Sequence, residues 1–363
     1  MTKSPINHQL LIKRSREVIA DCALENGAIV AANTDKSYTP REAGNYRAVW
    51  PRDAAFVCIA TKYLNLPIWE QYFSWLMSRP EDFKKDKKLY ANYSTNGRIG
   101  SMGHAFQPDQ MGTTLWAIHH VYQDDLKAAN KYNELIELMA DGIAESWGKT
   151  FFIPNTIDLW EDHNRKTSTK MENNFTYTLA ACARGLLCAN ELFPNNFWKE
   201  TAMQMLKEID EAYHPKQGYF FRNQGKISDA NIDSSLIGLV WPFKIYEADD
   251  ERIVKTIAKI EEKLVIDGGV HRFENDYYDG EGTAWEGGGA WPILNFWLAI
   301  YWSLRQDKAK ALTYYNWVLE RLDKYDGYMP EQIFSDFRRG IYPLSWSHAM
   351  FIIASKHLGY IDG

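Results

Sequence analysis

Apolar residues recur at spacings of three and four along almost the whole of this chain, and strand-like alternation is scarce. The pattern predicts twelve helices, over residues 7–26, 52–64, 67–78, 109–122, 124–147, 170–192, 195–212, 229–241, 248–263, 290–304, 306–323 and 345–357. Stop signals mark several of the ends. Asn26-Gly27 closes the first helix, and Leu66-Pro67 and Phe193-Pro194 separate consecutive ones.

The connections between these helices alternate in length. Links from the second to the third helix, fourth to fifth, sixth to seventh and tenth to eleventh span a few residues. The links entering the even-numbered helices are long, at 27–51, 79–108, 148–169, 213–228, 264–289 and 324–344. Long loops are uncommon in compact domains and usually carry function when present. Six inner and six outer helices in a closed double ring would open all six loops at one rim. The even helices, the more apolar, would form the inner ring, as in Leu236 to Trp241 and Ile293 to Trp302. An α-solenoid shares the helix pairing and differs in closure. No repeat is visible in the letters, which disfavours it. No Ser- or Pro-rich linker divides the chain, and the longest charged run is Glu81 to Lys88.

Composition narrows the class. The chain has 363 residues, a net charge of −6 and 45% hydrophobic residues, which suits a globular protein. It has no basic face, which argues against nucleic acid as a partner. Aromatic residues make up 14%, with 14 Trp, enough to supply flat stacking surfaces as well as core. Met1 to Asn7 lack the apolar run of a signal peptide, and no stretch of 18 apolar residues would span a membrane. Cys22, Cys58, Cys182 and Cys188 read as buried thiols, so a reducing cytoplasm is expected. None of them forms a metal-type pair with a nearby His, and no metal or cofactor is expected.

The chemistry lies in the loops. Thr156 to His163 holds three acids around Leu159-Trp160, just after Pro154 and Asn155. An indole beside a carboxylate desolvates it, raises its pKa and keeps it a proton donor. The same letters also describe a helix N-terminus capped by Asp158. Arg52-Asp53 opens an apolar helix and either clamps sugar hydroxyls, one donating and one accepting, or is a helix-end ion pair. Asp109 reads first as an N-cap, and His104 as a structural or rim residue. The loop from Tyr213 to Asp229, with Arg222, reads mostly as packing. The glycine-rich loop containing Gly268, Gly269, Gly280, Gly282 and Gly287 to Gly289 also carries His271-Arg272, Trp285-Glu286 and Trp291-Pro292. It lacks the strand–turn–helix context of a phosphate loop. Glu331, between Pro330 and an apolar turn, is either a cap or a base shielded from solvent. Two carboxylates on loops of one rim, Glu161 and Glu331, suit hydrolysis of a glycosidic bond.

With both loops in view, the chain resembles glycoside hydrolase family 15, the family of glucoamylases, glucodextranases and some trehalases. The resemblance covers nearly the whole chain. It rests on Tyr46 with Trp50-Pro51-Arg52-Asp53, on Gln107-Pro108-Asp109, and on Asp158-Leu159-Trp160-Glu161-Asp162. It continues through Gly269 to Arg272 with Trp291-Pro292, Met329-Pro330-Glu331-Gln332, and Pro343-Leu344-Ser345-Trp346-Ser347-His348. It implies an all-α (α/α)6 barrel with Glu161 as general acid and Glu331 as general base. It further implies that Arg52 and Asp53 hold the non-reducing glucose and that Arg272 contacts a hydroxyl. Tyr46, Trp50, Trp160, Asp162 and Trp291 would complete the substrate pocket. The chain departs from the family pattern in two places. The first helix starts at once, leaving no room for the N-terminal β-sandwich of bacterial members, so residues 1–363 are expected to form one catalytic domain. Ser101-Met102-Gly103-His104 stands where fungal members place a tryptophan before the Gln of the second loop.

The expected activity is an inverting, exo-acting α-glucosidase. Its partner would be an oligosaccharide or disaccharide with α-linked glucose, with no nucleic acid and no membrane. An α,α-trehalase, or a non-catalytic sugar-sensing domain on the same scaffold, are the alternatives. Retention of both Glu161 and Glu331 favours an enzyme.

Overall fold

In a computed structural model, residues 7–162, 166–226, 228–276, 288–336 and 341–361 are described. His163, Gly280, Gly282, Trp285, Glu286 and Gly287 lie outside them.

The chain begins with helix α1 (His8–Cys22), whose N-cap Asn7 accepts the amide of Leu10 at 3.0 Å. There follow α2 (Pro51–Tyr63), α3 (Ile68–Ser78), a four-residue α4 (Phe83–Asp86), α5 (Asp109–Val121) and α6 (Asn133–Ser146). The second half holds α7 (Thr176–Leu192), α8 (Asn196–Glu211), α9 (Glu251–Leu264), α10 (Pro292–Leu304), α11 (Lys308–Leu319) and α12 (Ser345–His357). Around the centre, α2 packs on α5, α5 on α7, α10 on α12, and α12 returns to α2. The remaining place between α7 and α10 is taken by a 3-10 turn, Ser234–Leu239. This closes the ring and gives the (α/α)6 barrel.

Sequence signals explain which helices sit where. α2 and α10 are buried over nearly their whole length, and both carry Pro in the first turn, where no amide partner is lost. α9 shows one apolar stripe, Ile253, Ile257, Ile260 and Leu264, with charge on its other sides, as an outer helix should. The closest inner contact is α5 on α7. A Cβ at Gly112 would stand 2.4 Å from the Ala181 carbonyl oxygen, so a glycine is needed there.

Several expected boundaries shift. The span 124–147 is a 3-10 turn, Leu126–Tyr132, running into α6. The sixth helix starts at Thr176 rather than 170. The largest correction is the eighth element, expected as a helix over 229–241. Asp233 caps the amide of Ser235 at 2.8 Å, so the element starts later, and Pro242 forbids its extension. α4 is an addition inside the second loop.

Among the described residues, short two-stranded pairings stitch the loops together. Ala48–Val49 pairs with Tyr93–Ser94, joining the first and second loops. Asn174–Phe175 pairs with Asn223–Gln224, joining the third and fourth. Ala290 and Ile333 exchange hydrogen bonds at 3.0 and 2.8 Å, joining the fifth and sixth. Below the loops the barrel axis is filled by aromatic rings. Phe56 packs on Trp346 at 5.4 Å, Trp116 at 5.6 Å and Trp241 at 6.0 Å between centroids. Cys22, Cys58, Cys182 and Cys188 are buried free thiols. No helix among the described residues is long and apolar enough to cross a membrane.

Candidate active site

A cavity of about 490 Å3 opens at the loop end of the barrel. Its walls include Tyr46, Trp50, Arg52, Asp53, Trp160, Glu161, Asp162, Arg272, Trp291 and Glu331, so all ten residues singled out from the sequence line one space. Five of the six long loops contribute. The fourth pairs with the end of the third through Asn223–Gln224 and Asn174–Phe175, and just beyond it Asp233 accepts the Trp160 indole N–H at 3.0 Å. Arg222 of that loop is buried and ion-paired with Asp229, consistent with a packing role.

Glu161 sits in a tight turn built by its own segment. The Asp158 carboxylate accepts the amides of Trp160 at 3.1 Å and Asp162 at 3.3 Å. No helix starts there, so Asp158 closes a turn and is not a helix cap. The turn leaves Glu161 at φ 57°, a left-handed conformation that costs a non-glycine residue roughly 1 kcal/mol. Such strain is kept where the surroundings hold it. Here the Trp50 indole donates to Glu161 Oε2 at 3.1 Å, while Oε1 has no hydrogen-bond partner and lies 3.6 Å from Arg52 Nη2.

Arg52 links three loops. Its guanidinium reaches Asp53 at 3.0 Å, Asp109 at 3.5 Å and the Leu159 carbonyl at 3.2 Å, and it lies over the Trp346 ring at 5.1 Å. Its backbone amide donates to the Gln110 side chain at 2.5 Å, and Gln110 in turn donates to Gln107 at 2.7 Å. Gln107 donates to the Asp158 carbonyl at 2.8 Å, so the Gln107-Pro108-Asp109-Gln110 segment braces the Glu161 turn. Asp109 is therefore misread as an N-cap. Pro108 holds that position, no side chain caps α5, and the Asp109 carboxylate is fully buried facing Arg52.

Glu331 is held by a different set of partners. Tyr46 OH donates to its Oε1 at 2.9 Å, and its amide donates to the Ile341 carbonyl at 2.8 Å. Behind it, Ser347 Oγ donates to the Pro330 carbonyl at 2.8 Å and the Met329 amide donates to His348 Nε2 at 3.1 Å. With Nε2 accepting, the His348 proton sits on Nδ1 and is donated to Ser15 Oγ at 2.9 Å. Burial pushes the His348 pKa down to about 3, so the ring stays neutral.

Arg272 lines the same cavity, and its charge acts on Glu331. It grips Asp276 through Nε at 2.7 Å and Nη2 at 2.8 Å, a two-point pair. It also lies over Trp291 at 5.0 Å and Trp160 at 5.6 Å.

Burial pushes the Glu161 carboxyl up to about 7; Asp53 and Asp109 add to this, while Arg52 and the Trp50 hydrogen bond oppose it. Burial is the cause the sequence reading expects, whereas the negative charges that add to it are Asp53 and Asp109 rather than Asp162; the Trp160 N–H is held by Asp233. Glu331 is also pushed up to about 7 by burial, against the Tyr46 hydrogen bond and Arg272. The two carboxyls are thus alike in pKa and differ in partners. Asp109, buried with Arg52, rises to about 6.

Sequence reasoning gave no role to seven wall residues, Asp276, Trp346 and Met102 among them. Asp276 lies in a loop, where a spacing of four from Arg272 carries no signal. Trp346 was within a quoted motif without a role. Met102 occupies the wall from the segment lacking the family's tryptophan. His104 is outside the lining and exposed, 3.7 Å from Asp82.

Arg52→Lys is expected to lower kcat/KM by about 10²-fold, because a single ammonium cannot meet Asp53, Asp109, Glu161 and the Leu159 carbonyl together. Steady-state kinetics on a disaccharide would read it, and unchanged turnover would reduce Arg52 to a helix-end ion pair.

Comparison with known proteins adds the family. The profile of glycosyl hydrolases family 15 matches residues 15–356. An uncharacterised glycosyl hydrolase of Methanocaldococcus jannaschii is 28% identical over 94% of this chain, and the match spans 55% of that protein's length. The isomaltose glucohydrolase of Kribbella flavida is 24% identical over 97% of this chain and 93% of its own. A glycosidase variant solved in complex with glucose superposes with a TM-score of 0.81 at 22% identity, covering 99% of this chain and all of that one, which shows the shared fold.

Proposed function

From the premise that this chain belongs to glycosyl hydrolases family 15, we propose that it is an exo-acting, inverting α-glucosidase. It would release β-glucose from the non-reducing end of short α-glucans or α-linked disaccharides. The observation that carries this reading is the placement of Glu161 and Glu331 on two loops of one cavity that Arg52-Asp53 and Arg272-Asp276 also line. Glu161 protonates the glycosidic oxygen; its Oε1 makes no hydrogen bond and faces Arg52 Nη2 at 3.6 Å. Glu331 takes a proton from water, which attacks the opposite face of the sugar. Tyr46 and Arg272 favour the ionised form that this base needs.

Packing around Trp346 supports the exo-acting reading. Trp346 and Leu344 line the cavity and Phe56 packs on Trp346 at 5.4 Å, a closed aromatic wall that favours entry of a chain end over passage of an internal segment. The isomaltose glucohydrolase relative, 24% identical, makes isomaltose the first substrate to assay. Met102, on the wall that would face the leaving sugar, is a flexible thioether able to adapt to more than one linkage.

Assays of glucose release from isomaltose, maltose, kojibiose, nigerose, trehalose and dextran define the substrate. Proton NMR of fresh product, recorded before mutarotation, tests the mechanism. β-Glucose is expected first, and α-glucose first would mean retention and overturn the role given to Glu331.

A further inference from the structure

A second cavity, of about 710 Å3, lies at the other end of the barrel. Its walls include Tyr63, the last residue of α2, and His120, near the end of α5. Leu304 and His357, the last residues of α10 and α12, line it too. The active-site walls use the opposite ends, with Arg52 and Asp53 in the first turn of α2 and Trp291 capping α10. A helix of 13 residues separates the two levels by roughly 20 Å. Nothing in the hydrolysis derived above uses this space.

Three features constrain its occupant. The first is an aromatic corner of Trp116 and Trp241, whose rings meet at 90° with centroids 6.3 Å apart. Such faces suit the apolar C–H side of a ring. The second is an imbalance of hydrogen-bonding groups. Four helices end here, and their last-turn carbonyls are largely taken: Lys62 Nζ donates to the His120 and Val121 carbonyls at 3.3 and 2.9 Å and Ser303 Oγ to that of His357 at 3.2 Å, so side chains carry the polar chemistry of the walls. Of these, Arg184 projects from α7 with its Nε buried and without a hydrogen-bond partner. A buried donor left unpaired is costly, so a ligand acceptor fits it. The third is charge. Arg184, Lys244 and Arg305 stand against Glu247 and Asp249, and the four helix ends are negative poles. His120 and His357 add no charge near neutral pH, because burial pushes both down to about 4. An anion would meet four negative poles, and a cation would meet three basic side chains.

A neutral polyol ring satisfies all three constraints. Its hydroxyls donate to Glu247 and Asp249 and accept from guanidinium, and its C–H face packs on indole. We propose that this cavity is a second saccharide site, taking a neutral mono- or disaccharide, at the end of the barrel opposite Glu161 and Glu331. The site rests on its own chemistry and does not depend on the activity proposed above. The two levels are joined by packed rings, Trp241 on Phe56 and Phe56 on Trp346.

Glucose tests this directly, since it is not hydrolysed. Isothermal titration of the full chain with glucose is expected to show two binding events, and a crystal soaked in glucose should hold one molecule against Trp241. Arg184→Gln should weaken one event by about tenfold or more, as loss of a charged hydrogen bond does, and leave disaccharide hydrolysis unchanged. Leu304→Trp, at a position 45% exposed on the rim, should block the same event and guards against a folding defect in the first variant. A single event in the wild type with no glucose in the soaked cavity would overturn the site, as would inorganic phosphate occupying it in place of glucose. Two events in a chain that hydrolyses none of the disaccharides would remove the activity and keep the site.

Discussion

Glu331→Gln is expected to lower kcat on a disaccharide by about 10²–10⁴-fold, the range for a lost general base. The exchange keeps the shape, and the backbone contacts to Ile341 and Ala290 that fix the segment are untouched. The acidic limb of the pH profile should disappear, because that limb reports ionisation of the base. Stability should move the other way. Burial raises the Glu331 carboxyl from an ordinary 4.5 to about 7. A group raised in the fold is bound to its proton there while the unfolded chain has released it, so the fold is penalised as pH rises through that window. The penalty is absent below about pH 4.5, is complete above about pH 7, and reaches up to roughly 3 kcal/mol. Glutamine has no proton to lose. The variant should melt at the wild-type temperature near pH 4.5 and above it at pH 8. Wild-type turnover would remove Glu331 from the mechanism, and a lower melting temperature at both pH values would make it a structural residue.

How much of this was legible in the sequence depends on range. Local signals did well: apolar periodicity marked eleven of the twelve barrel segments as α-helices, and the alternation of short and long links pointed to a closed ring. The failure at 229–241 was also local, since Ser234-Ser235 and Trp241-Pro242 are poor helix letters that the apolar run outweighed. The site was legible as a set of loops because the loops carry paired acids, arginines and tryptophans. Which partner meets which was not. Trp160 is adjacent to Glu161 in sequence, yet the indole on Glu161 is Trp50, 111 residues away. Trp160 is instead fixed by Asp233, from the segment 229–241 that read as a helix. Asp109 read as a cap because it precedes an apolar helix, and only the packing of α5 on α2 reveals that it faces Arg52. These pairings are set by tertiary contact, to which neither propensity nor spacing refers.

Glu161→Gln is expected to produce a loss that depends on the leaving group. On isomaltose or maltose the departing sugar alkoxide needs a proton, and kcat/KM should fall about 10²–10⁴-fold. A dinitrophenyl glucoside leaves as a stabilised phenolate without one, so the same variant should stay within roughly tenfold of the wild type. This contrast separates proton donation from mere positioning, because a displaced sugar ring would slow both substrates alike. The pH profile gives a second reading. Glu161 is raised from 4.5 to about 7 by burial, with Asp53 and Asp109 adding to it. It therefore donates below about pH 7 and is lost as an acid above, which produces the alkaline limb of the wild type. That limb should vanish in the variant while the acidic limb, set by Glu331, remains. The Trp50 indole that now donates to Glu161 Oε2 at 3.1 Å finds the glutamine oxygen in the same place, so the turn at φ 57° keeps its anchor. Equal losses on the disaccharide and the activated glucoside, with the alkaline limb intact, would show that Glu161 holds the sugar and that the proton comes from elsewhere.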